Sequence, residues 1–232
     1  MLATGCKDYE LFLTGYTPTF RHYLIPLYKS DRKGKQRPLR LGEFKMWAVF
    51  NREAKISCFW EGDELIGDKY LSNPDKYMVT SIDKDLLLQL PGRHFDYYNK
   101  RFHFVETSEL DAVYNFHHRL LTGDRGDYLL TGLTRVGEKT ATKLLNKVHK
   151  LQDTYTDKEQ YRKDLYELVR KEYIRQGNNN LPVMVGTIGA DNCRDNKLVI
   201  HHPSTNDMEQ CPYCRKKKEV DAIDCGEHEL LY

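Results

Sequence analysis

Tyr77-Met78-Val79-Thr80-Ser81-Ile82-Asp83-Lys84-Asp85 runs from an apolar segment straight into two aspartates. Residues 77–80 read as a buried strand. A strand there delivers Asp83 and Asp85 just past its carboxyl end, where open α/β sheets place their sites. Upstream, residues 9–14 are near-continuously apolar, as in a second buried strand, and Thr17-Pro18 breaks them. A helix is predicted over about residues 41–50, with Phe44, Trp47 and Ala48 on one face. A short strand follows at 55–59, then a helix at 61–71 with its acids in the first turn. Residues 95–105 alternate aromatic and polar side chains, as an edge hairpin does. Strands alternating with helices make residues 1–107 an α/β unit.

The next part of the chain is helical. Ser108-Glu109-Leu110-Asp111 is a capping-box start for a helix over 108–121. A second helix opens at Gly137 and runs through Leu144-Leu145. Thr156-Asp157-Lys158-Glu159 reads as another capping box, and Tyr161, Leu165, Leu168, Val169 and Tyr173 form one apolar stripe behind it. Gly177-Asn178-Asn179-Asn180 ends that helix. Residues 108–180 therefore form a helical region, and residues 181–232 a tail without strong periodicity.

The 232 residues carry a formal net charge of only +2. No apolar run is long enough to span a bilayer, and the first residues hold no secretory core, so a cytoplasmic protein is expected. Charge is unevenly distributed. From residue 29 to 40 stand six basic residues, Lys29, Arg32, Lys33, Lys35, Arg37 and Arg40, against one acid, Asp31. Such a segment suits a polyanion, although a solvated basic loop has the same composition.

Seven carboxylates fall in three groups: Glu61, Asp63 and Glu64; Asp83 and Asp85; Asp124 and Asp127. Clustered carboxylates repel one another unless cations lie among them, and oxygen-rich clusters suit Mg²⁺ or Mn²⁺. Two such ions about 3.5–4 Å apart can activate a water and stabilise both oxygens of a phosphodiester displacement. Acids at a helix start also suit the helix dipole by themselves. Gly132-Leu133-Thr134-Arg135-Val136-Gly137-Glu138-Lys139-Thr140 adds a glycine turn before a helix, whose backbone N–H groups can hold a phosphate. The spacing is not that of a Walker A loop, and an ordinary helical hairpin can carry the same glycines.

Taken in order, Phe20-Arg21, Tyr28-Lys29-Ser30-Asp31-Arg32, Glu61 to Glu64, Ser81 to Asp85, Gly123 to Asp127 and Gly132 to Leu145 resemble the flap endonuclease family. Phage 5′–3′ exonucleases and the 5′ nuclease domain of bacterial DNA polymerase I belong to it. The resemblance spans about residues 9–145. It implies a PIN-like α/β nuclease domain, a helix-three-turn-helix DNA-binding region, and divalent-metal cleavage of DNA at or near a 5′ end. By the same resemblance, Glu61, Asp63, Glu64, Asp83, Asp85, Asp124 and Asp127 are the metal ligands. Lys29, with Arg21 and Arg32, approaches the scissile phosphate. Lys33, Lys35, Gly132, Gly137, Lys139 and Thr140 contact the DNA backbone, with a K⁺ ion at the Gly132–Lys139 turn.

Two departures stand out. The family begins with a metal-binding, aspartate-bearing strand for which no counterpart precedes Tyr9, and Thr14 stands where the family has a further aspartate six residues before Phe-Arg. The missing strand is central, so an incomplete parallel sheet with a split core and two open edges is expected. The chain then reads as a piece of a longer or split protein, as one completed by another polypeptide, or as one without activity. In the tail, Cys211, Cys214, Cys225 and His228 have the spacing of a closed zinc site, with His201-His202 nearby as alternative ligands. The combined expectation is a structure-selective 5′ nuclease acting on DNA or RNA:DNA hybrids in phage or bacterial replication. The alternatives are a non-catalytic DNA-junction binder and one half of a split nuclease.

Overall fold

The computed structural model describes residues 3–15, 19, 21–22, 28–30, 34–57, 60–98, 102–123, 132–155, 157–181 and 184. Strand β1 (Phe12–Thr14) is followed by helix α1 (Leu41–Arg52), β2 (Lys55–Ser57), α2 (Gly62–Ser72), β3 (Thr80–Ser81) and α3 (Lys84–Gln89). Then come β4 (Gly92–Asp96), β5 (His103–Thr107), α4 (Glu109–Thr122), α5 (Glu138–His149) and α6 (Lys158–Arg175). Among the described residues the chain is α/β up to Thr107 and helical beyond it. No described helix is long and apolar enough to cross a membrane.

The described strands form two separate sheets. β1 and β2 pair in parallel, with Leu13 opposite Ile56. β3 runs parallel to β4, and β4 forms an antiparallel hairpin with β5, Phe95 opposite Phe104. In place of the expected single incomplete parallel sheet, the described strands form a parallel pair and a mixed three-stranded sheet. The backbone of β1 is not open along its length, however. Gly62, the first residue of α2, lies so close that a Cβ there would stand 3.2 Å from Thr14 N and 3.4 Å from Phe12 O. A side chain there would make the strand backbone give by a few tenths of an ångström, so glycine fits the helix start best.

The main core lies in the helical half. Phe116, Leu120 and Leu121 of α4 pack against Ala141 and Leu145 of α5 and the Tyr161, Leu165, Val169 and Tyr173 stripe of α6. Leu181 and Met184 extend this core beyond the end of α6. The Tyr173 hydroxyl donates to Leu120 O at 2.6 Å, so a buried polar group in the stripe is satisfied. A smaller cluster of Tyr70, Val79, Leu86 and Leu90 holds α2 and α3 to the β3–β5 sheet. Both halves meet along α4, which also packs on α3.

Several local expectations need correction. The strand predicted at 77–80 is only Thr80–Ser81, although Val79 O still accepts from Phe95 N at 2.8 Å. Asp83 and Asp85 stand not on a loop but at the start of α3, with Asp83 as its N-cap accepting from Asp85 N. Helix α6 is capped by Asp157, which accepts from Glu159 N, one residue later than the predicted Thr156. In α1 only Ala48 is buried, while Phe44 and Trp47 are exposed.

Candidate functional site

The densest polar cluster among the described residues centres on Glu61. As N-cap of α2 it sits where the chain enters the helix, with Glu64 one turn further on. Glu64 Oε2 accepts from Glu61 N at 2.6 Å, the return arm of a capping box. The other Glu64 oxygen stands 2.5 Å from the Arg21 guanidinium. Glu61 Oε1 accepts from Thr19 Oγ1 at 3.2 Å and Lys29 Nζ at 3.0 Å. Its Oε2 accepts from Arg21 at 3.0 Å, Tyr28 Oη at 2.9 Å and Lys29 Nζ at 3.0 Å. Arg21, Glu61 and Glu64 are buried, and the Lys29 side chain is 22% exposed.

Thr14 completes this cluster. Its hydroxyl accepts from Gly62 N at 2.8 Å, satisfying one of the orphan donors at the α2 N-terminus. The threonine that departs from the family pattern therefore anchors the helix carrying Glu61, Asp63 and Glu64.

Charge does not balance here. Arg21 and Lys29 face three carboxylates, Glu61, Asp63 and Glu64. Burial pushes the Glu61 carboxyl up, but Arg21, Lys29 and the hydrogen bonds from Lys29 and Tyr28 outweigh it and hold it below the usual range. Asp63 goes the other way. Burial and the neighbouring Glu61 charge raise it, against a smaller pull from Arg21 and Lys29. It makes no ion pair among the described residues, and its carboxyl lies within the field of the two anchored cations.

The second pair lies at α3. Asp83 N donates to Ser81 Oγ at 2.9 Å, and its carboxylate caps the helix. Asp85 is ion-paired with Arg119 of α4 and accepts from Gln89 Nε2 at 3.3 Å. A cavity of about 710 Å³ opens here, lined by Asp85, Gln89, His118, Arg119, Gly137 and Thr142 among others. Arg119 and Gln89 were missed in the sequence reading, because nothing local marks a basic residue in the last turn of α4 as the partner of an acid in α3.

Among the described residues no group of three or more His, Cys, Asp or Glu side chains converges in a metal-holding arrangement. The oxygen donors suit a hard divalent cation, and the Asp63 carboxyl makes no ion pair of its own among the described residues. Glu61 and Glu64 instead spend their oxygens on Arg21, Lys29, Tyr28 and Thr19. Asp124, Asp127, Arg32, Lys33, Cys211, Cys214, Cys225 and His228 lie outside the described residues.

Of the expected backbone-binding residues, Lys35 and Lys139 are exposed. Gly132 is needed for packing: a Cβ there would stand 2.3 Å from Leu121 O. Gly137 caps α5 and has no atom within 4 Å of a Cβ position. The Thr140 N–H already donates to Gly137 O at 2.9 Å. The turn is clamped by Gln176, whose Oε1 accepts from Thr134 N at 2.9 Å while its Nε2 donates to Thr134 O at 3.2 Å.

No protein-family profile matches the sequence, and no curated protein matches it. Solved structures do resemble it at low identity. The bacteriophage T5 D15 protein co-crystallised with metal ions is 16% identical, with 96% of this chain and 89% of that chain covered at a TM-score of 0.48. The T5 D15 flap endonuclease, in a pseudo-enzyme-product complex with DNA and metal ions, is 17% identical over 91% of this chain and 87% of that chain, at a TM-score of 0.47. The T5 5′-exonuclease with bound zinc ions is 16% identical over 94% of this chain and 87% of that chain, at a TM-score of 0.46.

Proposed function

We propose that the chain is a divalent-metal-dependent 5′–3′ exonuclease or flap endonuclease acting on DNA. The observation that carries this reading is the Glu61 cluster, which fixes Arg21 and Lys29 beside Asp63. Two anchored cations next to a carboxyl group outside their ion pairs suit a phosphodiester together with a metal ion. Asp63, Asp83, Asp85, Asp124 and Asp127 would hold Mg²⁺ or Mn²⁺, with Glu61 and Glu64 contributing chiefly by positioning the two cations. The metal would supply an activated water and charge neutralisation on the leaving oxygen. Arg21 and Lys29 would orient the phosphate, and Tyr28 and Thr19 keep Glu61 in place to hold them. Lys33, Lys35, Lys139, Thr140 and the Gly132–Gly137 turn, with a K⁺ ion, would grip the duplex backbone. The cysteine-rich tail would bind a structural zinc ion through Cys211, Cys214, Cys225 and His228.

The test is hydrolysis of a 5′-labelled flap duplex with Mg²⁺ and with EDTA. Mg²⁺-dependent release of short 5′ products, lost in Asp63→Asn and Asp83→Asn with DNA binding retained, is the expected result. A second reading, a DNA-junction binder without catalysis, is favoured by the Asp85–Arg119 pair and by the donors already saturating Glu61. It predicts binding without cleavage at any metal concentration. Cleavage that appears only when a separate polypeptide is added would identify one half of a split nuclease.

A further inference from the structure

Gln176 pairs with both main-chain groups of one residue in the turn before α5. Its Oε1 accepts from Thr134 N at 2.9 Å and its Nε2 donates to Thr134 O at 3.2 Å, across 42 positions of sequence. A carboxamide carries acceptor and donor in one plane, so it can meet a residue's N–H and C=O together, as a neighbouring strand does. The backbone beneath that side chain is fixed. Gln176 is the C-cap of α6, and Gly177 after it has a φ of 62°. Gly177 N donates to Ile174 O at 2.9 Å and Asn178 N to Tyr173 O at 3.0 Å, the two bonds of a Schellman motif. The clamp therefore rises from the locked end of an 18-residue helix.

The turn it holds is strained. Val136 N donates to Leu133 O at 3.1 Å, which closes a β-turn with Thr134 and Arg135 at its centre. Arg135 has a φ of 61°, in the left-handed region that a side chain disfavours. Glycine there would relieve the strain, so an arginine in that place points to a task for its side chain. Arg135 is exposed, as are Thr134 and Lys139. Leu133 and Val136 are buried and root the turn in the helical core. A clamp on the Thr134 carbonyl fixes the peptide that leads into Arg135, and with it the direction in which the arginine leaves the turn.

We infer that Gln176 is a positioning residue for the duplex grip: by holding the Thr134–Arg135 peptide it aims the Arg135 guanidinium at a phosphate of the DNA backbone. This rests on the reading of the Gly132–Gly137 turn as a DNA contact. It adds Arg135 as the cation of that turn and Gln176, from a different helix, as the residue that sets its direction. An arginine leaving a fixed peptide gives up less freedom on binding than one on a loose loop, and its planar fork suits phosphate oxygens.

The test is a double-mutant cycle on the full chain in EDTA, with affinity for a short fluorescent duplex read by anisotropy over a range of salt concentrations. Gln176→Met keeps the length of the side chain and removes both hydrogen bonds. Arg135→Ala removes the guanidinium and keeps the strained backbone. Each is expected to weaken duplex binding about tenfold and to make the slope of log affinity against log salt shallower by about 1, one phosphate contact fewer. The double variant is expected to bind no worse than Arg135→Ala alone, because Gln176 acts through Arg135. Additive losses overturn the inference, as does wild-type affinity in Gln176→Met. So does a loss in Gln176→Met that leaves the salt slope unchanged and follows its unfolded fraction in a thermal melt, which would make Gln176 a tie for stability alone. Wild-type protein that binds no duplex refutes the DNA reading and the grip with it. A chain that never cleaves but shows the non-additive cycle refutes the nuclease reading and keeps the positioning role, while one that cleaves with Mg²⁺ yet gives additive losses refutes the positioning role alone.

Discussion

Lys29 Nζ lies 3.0 Å from both carboxylate oxygens of Glu61, a forked ion pair between residues 32 positions apart. Lys29 reaches it from a positive φ of 52°, a backbone conformation that side-chain-bearing residues seldom adopt. Such a conformation persists only where its surroundings hold it, and here the Lys29 side chain is held by Glu61 and lies over the Tyr28 ring.

Glu61→Ala removes the acceptor shared by Thr19, Arg21, Tyr28 and Lys29. The buried Arg21 charge loses one of the two carboxylate partners it has among the described residues, so a loss of roughly 3–5 kcal/mol in folding stability is expected. Urea denaturation measures it. A variant that unfolds at the wild-type midpoint and has lost only hydrolysis would instead make Glu61 a metal ligand with no part in the fold.

Arg119→Gln releases Asp85 from its ion pair. Both side chains are about a quarter exposed, so the cost to stability is small, under about 1 kcal/mol. The freed carboxylate should bind a divalent cation more readily. Less Mn²⁺ is then expected to be needed for half-maximal cleavage of a flap duplex, and a metal titration of the cleavage rate measures the shift. A higher requirement would mean that Arg119 holds Asp85 in its productive place.

Gly132→Ala and Gly137→Ala should separate packing from backbone contact. The first forces a methyl group into the carboxyl end of α4 and is expected to cost about 1–3 kcal/mol or more. The second meets open space and should cost less than about 1 kcal/mol. Differential scanning calorimetry on both variants decides this, and equal losses would contradict the close approach at Gly132.

Acid should destabilise the helical half through His117. Burial drives its imidazole down to about 4, with the nearby Arg162 charge acting in the same direction and the hydrogen bond to Val113 O opposing both. Because the folded value lies below the ordinary one near 6.5, the contribution is intact above pH 6.5. It is lost as pH falls from there through about 4, with a total of roughly 3 kcal/mol. Burial likewise lowers His94. Denaturation midpoints at neutral and acid pH measure the slope, which should flatten over that window in His117→Leu. A variant as acid-sensitive as wild type would assign the effect to other groups.

The amino-acid sequence by itself determined the local features. Ser108 and Gly137 stand at the starts predicted for α4 and α5, and the Tyr161–Tyr173 stripe is the buried face of α6, because caps and apolar periodicity act within a turn or two of the chain. The acids of the candidate site were legible as residues but not as partners. Arg21 meets Glu61 across 40 positions, and Arg119 meets Asp85 between different helices. No periodicity encodes such pairings, since they exist only once separate elements pack. Helix α1 shows the same limit. Its period announced a helix, but tertiary packing alone decided that Ala48 turns inward and Phe44, Trp47 and Phe50 face solvent.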